Sequence, residues 1–158
     1  MSSARALAVS DDGNVIVGNG TIQGDSRKRA VRWKRNPGTN TFNVLDLRIC
    51  QRIEEIRLSD IEAYGVNQDG IVIVGSCHFL VSQYFRQSIG FIWMENETPK
   101  VQTLRNIGAS NLTNAYDVIT KSDGTNISVG GSIQDLASNV IAARWNNLSI
   151  EDLRFTLP

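Results

Sequence analysis

Histidine, cysteine and proline are scarce in this chain: one, two and three among 158 residues. His78, Cys50 and Cys77 are too few for a structural zinc site, which takes about four ligands. A hydrolase triad needs a base, and His78 is the only candidate. No Gly-x-Ser-x-Gly elbow and no phosphate-binding glycine loop occurs. Charge of one sign is also lacking, with 16 Lys+Arg against 16 Asp+Glu. That balance argues against a general electrostatic grip on nucleic acid or an anionic membrane. No apolar run approaches the roughly 20 residues needed to span a bilayer. The amino end lacks the apolar stretch of a signal peptide. Strand-like sequence begins at once, at Ala6, so the chain is expected to be a cytosolic protein, a mature form or, as the abrupt start of the array favours, an excised piece. The two cysteines are expected as buried free thiols, one disulfide being the alternative. No cofactor is expected.

What is present is repetition. Apolar residues make up 41% and charged residues 20%, a globular balance. One segment reads Ala6-Leu-Ala-Val-Ser-Asp-Asp-Gly-Asn-Val-Ile-Val-Gly18. It recurs without a gap as Ala63-Tyr-Gly-Val-Asn-Gln-Asp-Gly-Ile-Val-Ile-Val-Gly75. A looser third copy runs from Ala115 to Gly130, with about three extra residues near its turn. A second landmark follows in each copy: Ala30-Val-Arg-Trp33, Gly90-Phe-Ile-Trp93 and Ala142-Ala-Arg-Trp145. Third come Phe42-Asn-Val-Leu-Asp-Leu47, Val101-Gln-Thr-Leu104 and Ile150-Glu-Asp-Leu153. All three tryptophans thus share one repeat position, where packing between units is the expected role. The repeats span about 4–58, 59–110 and 111–158 within one domain. Gly18, Gly75 and Gly130 lie 57 and 55 residues apart, a supersecondary unit of blade length.

Each copy predicts four short strands. Asp12-Gly13 and Asp69-Gly70 are hairpin-turn dipeptides, because glycine tolerates the positive φ such turns need. They precede β-branched runs that favour strands, continuous enough to be covered on both faces. The Ala-x-x-Trp segment makes a third strand and the Leu-x-Leu segment a fourth, about twelve in all. In the connection from Arg48 to Asp60, the spacing of Ile49, Ile53 and Ile56 suggests a short helix. The span from Cys77 to Ser88 reads as a long loop or hairpin tip.

These landmarks resemble the HAF repeat of bacterial, mostly extracellular or surface proteins. Gly65-Val66-Asn67, Asp69-Gly70 and Val72-Ile73-Val74-Gly75 match its first block, and Gly90-Phe91-Ile92-Trp93 its second. The histidine of the family's His-Ala-Phe stands at none of the three places here. The resemblance implies a β-propeller-like array with one blade per repeat and no established catalytic residues. Propellers have four to eight blades, so three leave open sheet edges. The chain is then part of a larger propeller, or two chains form a homodimer that completes a six-bladed ring. A β-trefoil, built from three copies, is the alternative.

The function expected is a non-enzymatic binding or scaffold module, bacterial and extracellular or cell-surface by that resemblance. Its partner would be a protein or glycan held by rim loops. The candidate binding residues are Phe79, Tyr84, Phe85 and Arg86 in a copy-specific loop, where repeat proteins place function. Arg27, Lys28 and Arg29 join them from the densest basic stretch, for which a solvated edge strand is the plain reading. The alternatives are a spacer and a glycan hydrolase, which needs paired carboxylates. For that, Asp60, Glu62 and Asp117 stand near repeat starts.

Overall fold

A computed structural model describes residues 1–47, 49, 57–80, 86–97, 100–104, 112–120, 126–134, 139–147 and 149–153. The described residues are all-β, with twelve strands in three separate four-stranded antiparallel sheets. The first sheet holds β1 (Ser3–Val9), β2 (Val15–Ile22), β3 (Asp25–Arg35) and β4 (Phe42–Asp46) in sequence order. The second holds β5 (Arg57–Val66), β6 (Val72–Leu80), β7 (Arg86–Met94) and β8 (Val101–Thr103). The third holds β9 (Thr113–Thr120), β10 (Ile127–Gln134), β11 (Val140–Asn146) and β12 (Ser149–Asp152). Each repeat is therefore one blade-like unit. No closed barrel forms among the described residues, which a trefoil requires.

Hairpin chemistry explains the first two strands of the first and second units. In the first turn the Ser10 N–H donates to the Val15 carbonyl, and Ser10 Oγ accepts from the Val15 N–H at 3.0 Å. Asn67 repeats this, its Oδ1 accepting from the N–H groups of Ile71 and Val72 at 3.0 and 2.9 Å. Gly13 and Gly70 take φ of 70° and 73°, as the Asp-Gly dipeptides predict. The Asp12 carboxylate is filled locally by Ser10 Oγ and by the backbone and side-chain N–H groups of Asn14.

The blades stack face to face, and alternation along the strands decides what meets what. We call the side of a blade facing the preceding one its leading face and the other its trailing face. Val15, Val17 and Ala30 on the first blade's trailing face pack with Ile61, Ala63, Ile73, Cys77, Phe79, Phe91 and Trp93 of the second. Val72, Val74 and Ile92, on the second blade's trailing face, pack with Ala115, Val129, Ala143 and Trp145 of the third. Strand β6 is thus covered on both sides, which is why its apolar run is continuous. Each fully buried valine or isoleucine contributes about 1.5–3 kcal/mol. The tryptophan expectation holds at two positions: Trp93 and Trp145 are buried, each against the preceding blade. Trp33 is only half-buried.

Three expectations need correction. Gly130 is not the third closing glycine. Gly18 pairs with Ala6 and Gly75 with Ala63, and the residue paired with Ala115 is Gly131. A Cβ at Gly18, Gly75 or Gly131 would fall 2.0 Å from a carbonyl oxygen, of Arg5, Glu62 or Asn114 respectively, whereas one at Gly130 meets nothing. Second, β3 lies between β2 and β4, so the basic stretch is no edge strand. Arg32 is buried, donating from Nη2 to Glu95 Oε1 at 3.0 Å with its guanidinium 4.9 Å from the Trp93 ring centroid. Third, Cys77 is not a free thiol but disulfide-bonded, and no described cysteine is free. Cys50 is the chain's one other cysteine and lies outside the described residues. So does most of the helix expected between Arg48 and Asp60, while residues 57–60 already belong to β5. Reducing the cross-link, or replacing Cys77 with serine, is expected to lower stability by about 2–4 kcal/mol. Denaturant melts with and without dithiothreitol read this directly, and coincident curves would contradict it.

Candidate functional site

One local irregularity recurs in all three blades and sets the candidate site. The first strand of each blade carries a β-bulge opposite its closing glycine, with Leu7, Tyr64 and Tyr116 as the extra residues. A bulge re-aims a side chain out of the ladder. In the second and third blades that side chain is a tyrosine. The two rings meet at 5.7 Å between centroids, tilted by 54°. Tyr116 remains 51% exposed, its hydroxyl 3.4 Å from Ser132 Oγ. Tyr64 turns inward, its hydroxyl donating to Glu62 Oε2 at 2.6 Å and lying 3.3 Å from His78 Nε2.

Glu62 is the centre of this cluster. Its Oε1 accepts from Asn19 Nδ2 and Lys28 Nζ, both at 2.8 Å and both from the first blade. Lys28 also donates its backbone N–H to Asp60 at 2.8 Å. Burial pushes the Glu62 carboxyl upward. The hydrogen bonds from Lys28 and Tyr64 outweigh it and hold the group below its ordinary value. Lys28 is raised by the same bond, and burial together with Glu62 keeps the Tyr64 phenol protonated as a donor. The result is an ionised, largely buried carboxylate ringed by an amide, an ammonium, a phenol and an imidazole. Because the folded carboxyl titrates below the unfolded one, its stabilisation is full above about pH 4.3 and fades as pH falls through the folded value. Thermal melts between pH 2.5 and 6 should therefore show a steeper acid loss in the wild type than in Glu62→Gln. Parallel curves would contradict the assignment.

The expected binding residues divide. Arg27 and Arg29 both reach Asp25, at 2.9 and 2.8 Å, and hold its carboxyl far below the usual range. Arg27 and Lys28 stay about half exposed. Phe79 belongs to the core instead: β6 runs on to Leu80, and the Phe79 side chain is buried between the first two blades. The loop is correspondingly shorter than 77–88. Arg86 begins β7, paired in register with Leu80, while Tyr84 and Phe85 lie outside the described residues. The hairpin joining β6 to β7 corresponds in the repeat to that joining β2 to β3, so both candidate segments fall on one rim. Glu62, Tyr64, Tyr116 and His78 were missed as binding residues. A signal was present, since Ala63-Tyr64 and Ala115-Tyr116 put tyrosine at the same repeat position.

The carboxylates considered for hydrolysis are differently placed. Asp60 and Glu62 both engage Lys28, while Asp117 lines another groove with Ser128 and Arg144. A larger groove of about 690 Å³ lies at the opposite rim, between the β1–β2 and β3–β4 turns. Its polar groups are spent on its own shape: Asp12 on Ser10 and Asn14, Asn36 on Thr41, and Lys34 on Glu95. Comparison with known proteins finds no matching family model and no matching curated protein.

Proposed function

We propose that this chain is a non-enzymatic binding module of the propeller-like repeat kind, and that it recognises a glycan on the inner-strand rim around Glu62, Tyr64 and Tyr116. The observation that carries this is the half-exposed Tyr116 ring beside a cluster of fixed donors and acceptors. A sugar presents an apolar C–H face and a fringe of hydroxyls. An exposed aromatic ring suits the first, and the partly exposed Lys28 and His78 suit the second. The Cys77 disulfide supports an oxidising compartment, as the resemblance to surface HAF repeats does. A glycan array followed by calorimetric titration tests the reading. The wild type is expected to bind, and Tyr116→Ala to lose at least about tenfold in affinity, the order of one lost stacking contact. A blank array, or binding unaffected by Tyr116→Ala, would sink it.

A protein partner is the second reading, favoured by Arg27 and Lys28 standing half exposed. It expects Arg27→Glu to abolish capture of that partner while Tyr116→Ala leaves it intact.

A further inference from the structure

The internal junctions show what covers each kind of blade face, and among the described residues two such faces are only partly covered. On trailing faces, the second-strand positions filled by Val15 and Val17, then by Val72 and Val74, are Ser128 and Gly130 in the third blade. The third-strand positions of Ala30 and Arg32 become Ala142 and Arg144. The earlier residues are buried, whereas Gly130, Ala142 and Arg144 are exposed and line or flank a groove of about 230 Å³. On leading faces the first blade has Ala6, Ile16 and Trp33 where the second has Ala63, Ile73 and Trp93. Again the second blade's residues are buried, whereas Ala6 is exposed and Ile16 and Trp33 are only half-buried, though Val31 on the same face is buried.

These open faces are the two halves of one contact. At the first junction Arg32 of the trailing face lies over Trp93 of the leading face. Arg144 occupies the position of Arg32, and Trp33 that of Trp93. The absence of a Cβ at Gly130, with nothing within 4 Å of where one would sit, leaves room for an indole in that groove. We infer that the leading face of the first blade docks on the trailing face of the third blade of a second copy, so that two chains close one six-bladed ring. A head-to-tail contact repeats at both ends of the pair, and closure leaves no sheet face bare. The inference is independent of the glycan reading.

One feature of this junction differs from the internal ones. Glu95, which answers Arg32, is replaced in the first blade by Arg35. The second-copy junction therefore lacks the carboxylate that Arg32 meets at the first. Light scattering after size exclusion tests this on the intact chain. The expected mass is twice that of the 17.4 kDa chain. Trp33→Glu and Arg144→Ala are each expected to raise the dimer dissociation constant at least tenfold, with melting curves showing that both variants fold. Asn96→Lys, in the exposed turn that follows β7 of the second blade, should leave the dimer unchanged. A monomer at every concentration would overturn the inference. So would growing filaments, or a dimer that survives Arg144→Ala and therefore uses leading faces alone.

Discussion

Gly131→Ala is expected to destabilise the chain by about 4 kcal/mol or more, whereas Gly130→Ala should be neutral or stabilising by up to about 1 kcal/mol. The two glycines are neighbours and neither has a positive φ, so backbone conformation does not separate them. Surroundings do. A methyl at Gly131 would lie 2.0 Å from the Asn114 carbonyl oxygen and 2.9 Å from the Trp145 ring. The first is backbone held by the bulge at Tyr116, and it cannot move without unpicking the β9–β10 ladder. At Gly130 the methyl meets open space, and alanine gains from restricting the unfolded chain. Urea melts of the two variants, with unchanged m-values, read the difference. If Gly130→Ala proved the damaging one, the third repeat would be in the other register and its trailing face misassigned.

Trp145→Ala is expected to cost about 3–5 kcal/mol, the range for emptying a large buried aromatic site. For a domain of this size that lowers Tm by roughly 6–20 °C. Trp145 is fully buried against the second blade with Val72, Val74 and Ile92 near it. Trp93→Ala should cost as much, since it also strips the ring from beneath Arg32. Arg32 is already short of partners, its Nε and Nη1 making no hydrogen bond. Trp33→Ala should cost clearly less in the monomer, because the ring is only half-buried. Three equal losses would contradict stacking in which only two tryptophans lie between blades.

Much of the fold was legible because each blade repeats the same local chemistry. Asp-Gly turns, β-branched runs and the Ala-x-x-Trp segment gave twelve strands, and the unbroken apolarity of Val72–Val74 foretold a strand covered twice. The third glycine was misread because the turn residue changes: Ser10 and Asn67 fasten their hairpins, but Ile119 stands at that position and cannot. With the turn chemistry gone, the sequence alone does not reveal that the insertion shifts the closing glycine by one. Phe79 was misplaced because strand length depends on pairing with β7, which local propensity does not encode. The Glu62 cluster was hidden for a related reason. Its members lie on β2, β3, β5 and β6, and only blade stacking brings Lys28 of one repeat onto Glu62 of the next.

The most direct test of the stacked arrangement is amide hydrogen exchange on the chain kept dilute enough to be monomeric. Strand β6 is buried on both faces through Cys77, whereas Ile16 of β2 is half-buried and Gly130 of β10 is exposed. The account predicts the strongest protection across Ile73–Cys77, with weaker and comparable protection in the middle of β2 and β10. Equal protection in all three strands, or a maximum in β2 or β10, would contradict an order in which the second blade lies between the other two.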